Sequence, residues 1–158
     1  MKKIFVIMIA ALCMFLTGCN NQFARDEYDD SEKIVSSSDR YAKTKSVINT
    51  NDDGFTLEIG GFDGRETVWE YTAGDDGELS FSAYLELSEG NVKLVFVDAE
   101  DNITTVAEVP ESQTRMDPVG VFLDEAAVNV KEGTNRFKLV GYGAKDVKAK
   151  LSTEKSEG

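Results

Sequence analysis

The chain has 158 residues and a formal net charge of −12, from 29 acidic and 17 basic side chains. Such an acidic surface repels nucleic acid and anionic lipid headgroups, so we predict no nucleic-acid partner. No histidine is present, which excludes histidine-based triads, histidine general bases and histidine metal sites. Cationic partners are the natural counter-charges, although solubility alone also explains this charge.

The first 19 residues, MKKIFVIMIAALCMFLTGC, have the layout of a secretory signal. Lys2 and Lys3 precede thirteen apolar residues, Ile4 to Leu16, and small residues follow. A helix of that length is about 20 Å long, whereas the hydrocarbon core of a bilayer is about 30 Å thick. We therefore predict a signal peptide over residues 1–18 and not a membrane span.

The end of this signal, Leu16-Thr17-Gly18-Cys19, resembles the lipobox of bacterial lipoproteins. The resemblance implies a diacylglycerol on the Cys19 thiol, with fatty acids such as palmitate, and cleavage just before this residue. Two acyl chains attach a protein stably to a membrane. The protein is then expected in the bacterial cell envelope, with its domain outside the cytosol. Cys13 leaves with the signal, so no disulfide is expected in the mature chain.

Residues 19–54 are polar and acidic, with acids concentrated from Asp26 to Glu32 and a serine triplet from Ser36 to Ser38. We predict a flexible tether here, which would hold the following domain about 30 to 35 Å from the membrane. Within it, Arg40 to Ile48 is compatible with an edge strand or a short helix.

From residue 55 the apolar residues alternate with polar ones, as in half-buried strands. In Glu78 to Leu87 the apolar side chains share one face, whereas Val92 to Asp98 is apolar on both faces and is predicted as a central strand. The pattern predicts nine short strands: 55–59, 67–72, 78–87, 92–98, 103–109, 119–123, 126–130, 135–140 and 146–151.

These strands, with no convincing helix after the signal, predict an all-β fold. We expect a single antiparallel β-sandwich over residues 55–152, followed by a tail over 153–158. Jelly-roll and immunoglobulin-like arrangements both fit. The segment KEGTNRFKLVGYGAKDVKAKLS is similar to the closing hairpin of small jelly-roll domains in bacterial surface proteins. Pro110 and Pro118 mark the longest loop, a suitable place for a crossover.

Acidic turns are the first candidate binding sites. The stretch from Asn49 has Gly60 where a calcium loop needs a bidentate glutamate, and the stretch from Asp98 has Ile103 where it needs glycine. Turn geometry explains these residues, and we predict no metal site. A looser calcium site remains an alternative, assembled from Asp52, Asp53, Asp75, Asp76, Asp98 or Asp101.

Aromatic rings are the second candidate, because sugars stack on exposed rings. Trp69 and Tyr71 lie on the same face of their strand and are predicted to belong to the core. Tyr84 lies on the polar face of its strand, and Phe62 and Tyr142 lie next to glycines in predicted turns. We predict Phe62, Tyr84 and Tyr142 as surface rings that contact a ligand.

Enzyme signatures are absent from the sequence. Ser152 and Lys155 have Ser-x-x-Lys spacing without a partner motif, and Asp146 replaces the third glycine of a dinucleotide pattern begun by Gly141 and Gly143. We predict no catalytic residue and no cofactor. The leading hypothesis is a lipid-anchored, non-catalytic module that binds a glycan or a protein. The alternative is an acidic inhibitor or immunity-type lipoprotein that captures a basic protein, and an envelope hydrolase with clustered carboxylates ranks last.

Overall fold

The computed structural model describes residues 22–113 and 117–153. These residues form two short helices, seven strands and one turn of 3₁₀ helix. In chain order they are α1 (Gln22–Tyr28), α2 (Ser31–Val35), β1 (Arg40–Asn51), β2 (Gly54–Ala73), β3 (Gly77–Leu87), β4 (Glu89–Val97), β5 (Ile103–Val109), the 3₁₀ helix (Glu111–Gln113), β6 (Val119–Val130) and β7 (Gly133–Thr153). The predicted signal peptide and Cys19 lie outside the described residues.

All strand pairs are antiparallel, and the two long strands β2 and β7 pair along most of their length. Beyond β7, the neighbouring strand changes part-way along. The first half of β7 pairs with β4, which pairs in turn with β5. The second half pairs with β3, which pairs in turn with β6. The sheet therefore forms two layers that share β2 and β7, and the predicted all-β antiparallel sandwich is confirmed.

The main core lies between these two layers. The Phe81 ring on β3 meets the Phe137 ring on β7 edge to face, with centroids 5.7 Å apart. Phe96 on β4 packs against the same Phe137 ring at 5.0 Å. Trp69 is buried beside them, and its Nε1 donates to the Asn51 carbonyl at 2.9 Å. The predicted core position of Trp69 is confirmed, and Tyr71 packs against this core.

The predicted short strands merge into longer ones. Predicted pairs of strands join to form β2, β6 and β7, because their predicted turns are irregularities within continuous strands. In β2 the turn predicted around Phe62 is a shift of register between Phe62 and Gly64. Gly64 has a φ of +106°, and a Cβ there would lie 2.1 Å from the Arg40 carbonyl oxygen. Glycine therefore lets β2 bend beside β1 without ending the strand.

The predicted tether is wrong for residues 22–54. Residues 22–39, which we call the strap, contain α1 and α2 and pack on β2 and β7. Ala24, Tyr28 and Ile34 of the strap are buried. The following residues form β1, an edge strand paired with β2. The prediction failed because the strap's acidic side chains, which suggested a solvated coil, pair with basic side chains on distant strands.

The central position predicted for Val92 to Asp98 is confirmed, since β4 lies between β5 and β7. One face of β4 enters the main core, while Val95 and Val97 join Tyr28, Ile34 and Val140 in a second small core under the strap. Both faces of β4 are therefore buried. No helix within residues 22–113 and 117–153 is long and apolar enough to cross a membrane.

Candidate binding cleft on the outer sheet face

A shallow cleft of about 400 Å³ lies on the outer face of the layer that contains β1, β3 and β6. Alternate residues of each strand point inward and fill the main core, so the residues between them face outward and line the cleft. Side chains from four strands line it: Val47, Asn49, Thr56, Leu57, Glu58, Tyr84, Lys148, Ala149 and Lys150. We call this surface the Tyr84 cleft.

Strand register arranges the side chains of the Tyr84 cleft and of the surface beside it in two rows. One row runs across five strands through residues paired in sequence: Asn49, Thr56, Lys150, Tyr84 and Phe122. The parallel row contains Val47, Glu58, Lys148 and Glu86. Directly opposed residues on neighbouring strands lie close enough for their side chains to interact. The face therefore combines aromatic rings with hydrogen-bonding groups.

The Tyr84 ring is held in place by polar contacts. Its hydroxyl donates to Glu86 Oε2 at 2.5 Å, and Lys148 Nζ donates to Glu86 Oε1 at 3.1 Å. Beneath the ring lies Gly120, where a Cβ would come within 3.1 Å of a ring carbon. A larger residue at 120 would displace the ring. Tyr84 is therefore a fixed, half-buried ring on the sheet surface.

The same contacts set the charges at the cleft. The hydrogen bond from Tyr84, followed by that from Lys148, holds the pKa of Glu86 below its usual value. The hydrogen bond to Glu86, with some loss of solvation, raises the pKa of Tyr84. Near neutral pH Glu86 is ionised and Tyr84 is neutral. A carboxylate with a lowered pKa is poorly suited to act as a general acid.

Phe122 lies on the same face beside the Tyr84 cleft, and sequence reasoning missed it. It is paired with Tyr84 across β3 and β6, and its side chain is 66% exposed. The sequence carried a signal for it: Val121 and Leu123 pack against the core, so the residue between them points outward. The prediction of a strand over residues 119–123 did not separate its inward residues from its outward ones.

Of the three predicted ligand-contact rings, only Tyr84 lines the Tyr84 cleft. Phe62 is 1% exposed, so its predicted surface position is wrong. The flanking glycines suggested a turn, but the segment is a bend in β2 that directs this ring into the main core. Tyr142 is half-buried beneath the strap, where its ring meets Tyr28 edge to face at 5.1 Å and Arg25 lies 5.2 Å above it. The three rings do not form one surface.

The acidic turns make hydrogen bonds within the protein. Asp98 accepts bonds at 2.9 Å from the backbone of Glu100 and from the backbone and side chain of Asn102. Asp76 accepts from Lys131 Nζ and from the backbone of Glu132. Within residues 22–113 and 117–153, no three Asp, Glu, Cys or His side chains come together as a possible metal site. These contacts fit the turn-geometry interpretation.

Comparison with known proteins gave structural similarity only. No protein-family model matches the sequence, and no curated protein matches it significantly. A carbohydrate-binding module of Cellvibrio mixtus lichenase 5A, solved with cellotriose, is 14% identical, with a TM-score of 0.37 over 78% of this chain and 94% of that one. A family 35 carbohydrate-binding module from Clostridium thermocellum is 10% identical, with a TM-score of 0.31 over 70% and 90% of the two chains.

Proposed function

We propose that this protein is a non-catalytic glycan-binding module and that the Tyr84 cleft is its binding site. The observation that carries the proposal is the row of Asn49, Thr56, Lys150, Tyr84 and Phe122 across an open sheet face. In this row the neighbouring rings of Tyr84 and Phe122 lie beside polar side chains that can form hydrogen bonds with the hydroxyl groups of a sugar.

The chemistry of the cleft suits a sugar. A sugar ring has apolar C–H faces that pack on an aromatic ring, and hydroxyl groups around its edge that donate and accept hydrogen bonds. Tyr84 and Phe122 supply the rings, and Asn49 and Thr56 supply neutral polar groups. Lys150 is exposed and lines the cleft, so its ammonium group can donate to a ligand oxygen. The cleft is shallow, which suits an oligosaccharide lying across the strands.

We also propose that the protein is attached to a membrane of the bacterial cell envelope through a diacylglycerol on Cys19. This proposal is supported by the resemblance of Leu16-Thr17-Gly18-Cys19 to a lipobox. Cys19→Ala is expected to abolish lipid labelling and cleavage in a cell that processes lipoproteins, whereas Cys13→Ala is the matched control and leaves both intact. Labelling that persists in Cys19→Ala would refute the anchor.

Glycan binding is tested by calorimetric titration of the full mature chain with neutral gluco-, xylo- and galacto-oligosaccharides. For the oligosaccharide that binds, Tyr84→Ala and Phe122→Ala are each expected to weaken binding about tenfold, which corresponds to about 1.4 kcal/mol. The control is Tyr41→Ala, because Tyr41 is 44% exposed on β1 and does not line the cleft. High salt should leave the affinity nearly unchanged, since ring packing is not screened.

Two results would contradict the proposal. Equal losses in Tyr84→Ala and Tyr41→Ala would place the binding site elsewhere. Binding of a basic protein with a steep salt dependence, without binding of any oligosaccharide, would favour the inhibitor class.

A further inference from the structure

A second polar surface lies under the strap, on the outer face of the opposite layer. Four basic side chains rise from three neighbouring strands there: Arg65 from β2, Lys93 from β4, and Arg136 and Lys138 from β7. We call them the cationic face. Arg65, Lys93 and Lys138 are all at least nine-tenths buried, and Lys138 has no exposed surface. So many buried cations require closely placed negative groups.

Strap carboxylates supply part of that compensation. Asp29 lies 2.9 Å from Lys93 Nζ, and Asp39 lies 3.2 Å from Lys138 Nζ. Glu27 approaches Arg65 at 3.4 Å and Arg40 at 3.0 Å. The strap contains six acidic and two basic side chains, so its net charge is opposite to that of the cationic face.

The remaining compensation comes from backbone carbonyls at the end of α2 and from Asp101, which lies outside the strap and 2.7 Å from Arg136. Arg65 Nε donates to the Lys33 carbonyl at 2.7 Å, and Arg136 donates to the Val35 carbonyl at 3.0 Å. Lys138 Nζ donates to the Ser36 carbonyl at 2.6 Å. Three cations therefore bind consecutive parts of one peptide backbone. Because these cations donate to backbone carbonyls as well as to carboxylates, the arrangement suits a peptide better than a simple anion.

The fit between the strap and the cationic face is incomplete. Arg136 Nε is buried and has no hydrogen-bond partner within the described chain. Glu27 Oε2 and Arg65 Nη1 are also buried and meet only in an ion pair at 3.4 Å, without the geometry of a hydrogen bond. An unsatisfied buried polar atom opposes the packing that buries it. The apolar part of the contact consists of Tyr28 and Ile34 of the strap on Val95, Val97 and Val140, with partly buried residues packed around them: Val35, Ile103 and Tyr142. The Ser36–Ser38 segment then joins the strap helices to β1.

We propose that the cationic face is a binding site for an acidic peptide segment of a partner protein, and that the strap is an internal ligand that blocks it. The strap shows the chemistry of the ligand: carboxylates for Lys93 and Lys138, a run of carbonyls for Arg65 and Arg136, and apolar side chains for the second small core. Displacement of the strap exposes the face. This site is independent of the Tyr84 cleft, which lies on the other layer.

The test uses a labelled synthetic peptide with the sequence of residues 22–39, titrated against the full mature chain by fluorescence anisotropy. In the wild type the strap competes at a high effective concentration, so the peptide is expected to bind weakly. Ile34→Ser weakens the strap without changing any charge, because Ile34 is 3% exposed. It is expected to tighten peptide binding by about tenfold or more.

Two controls separate this result from a general effect of mutation. Ala127→Ser changes an exposed apolar residue of β6, which lines neither proposed site, and is expected to bind the peptide as the wild type does. Ile34→Ser combined with Lys138→Met is expected to lose the gain. If Ile34→Ser does not fold, Glu27→Gln with Asp29→Asn weakens the strap through its charges, and the same gain is expected.

Hydrogen exchange of the strap amides is measured on the same samples. Strap amides that stay protected in Ile34→Ser would show that the strap is not displaceable, which contradicts the proposal. Exposed strap amides without tighter peptide binding would show that the face is not a peptide site. Equal binding of inorganic polyphosphate, a polyanion with neither a peptide backbone nor sugar rings, would also overturn it. None of these outcomes depends on whether the Tyr84 cleft binds a glycan.

Discussion

Tyr84 and Phe122 are directly paired across β3 and β6, and only the first has a polar group that fixes its ring. Tyr84 is bonded to Glu86, whereas Phe122 is 66% exposed. A ring that is mostly exposed contributes little burial energy to the fold. This pair therefore distinguishes a fixed ring from an adaptable one on the surface that we propose binds a glycan.

The first prediction separates the two rings that the sequence treated alike. Phe62→Ala is expected to lower the free energy of unfolding by about 3 to 5 kcal/mol, because it leaves a cavity in the main core. Tyr84→Ala removes a cross-strand surface contact and is expected to cost about 1 kcal/mol or less. Urea unfolding measures both. Equal costs would contradict the assignment of Phe62 to the core and Tyr84 to the surface.

The second prediction concerns the pH dependence of the contact between Tyr84 and Glu86. The folded pKa of Glu86 is lowered, so this contact stabilises the fold above about pH 4.5 and is lost as the pH falls through the folded pKa. The stability difference between wild type and Tyr84→Phe is expected to be constant from about pH 6 to 8 and to shrink below about pH 4.5. Tyr41→Phe is the control. A difference that grows on acidification would show that the contact does not favour the ionised carboxylate.

The third prediction concerns the buried Lys138. Burial lowers its pKa, although the hydrogen bond and charge of Asp39 oppose that effect. Asp39→Asn leaves the ammonium group buried without a countercharge and is expected to destabilise the fold by about 2 to 3 kcal/mol. Lys138→Met removes the buried charge, and the remaining Asp39 is partly exposed and still accepts from the backbone and side chain of Thr67. This substitution is therefore expected to change stability by about 1 kcal/mol or less. Denaturant unfolding in which Lys138→Met is the more damaging substitution would contradict this account.

The sequence predicted the strand class well because inward and outward residues alternate. In β3 the alternation gave both the core face and the outward position of Tyr84. In β4 the two apolar faces predicted a central strand. They also indicated that another segment covers the outer face of this strand, which the sequence analysis did not predict. Apolar residues on the outer face, such as Val95, require a cover. The strap covers these residues. The sequence analysis predicted that the strap is a tether because its composition is acidic.

The errors share one physical cause, which is that local composition does not show long-range contacts. The acids Glu27 and Asp29 resemble those of a solvated linker, and their partners Arg65 and Lys93 are remote in sequence. Glycine also has two roles. Beside Phe62 it permits a bend within β2, and the sequence pattern for such a bend resembles that for a turn.

The most direct test of the proposed function is to map amide chemical-shift changes when a neutral oligosaccharide is titrated into the ¹⁵N-labelled mature chain. The account predicts the largest changes at outward positions of β3, β6 and β7, including Tyr84, Phe122 and Lys150, with little change in the strap. Tyr84→Ala should abolish most of these changes. Changes concentrated elsewhere, or the same changes in Tyr84→Ala, would contradict the assignment of the Tyr84 cleft as a glycan-binding site.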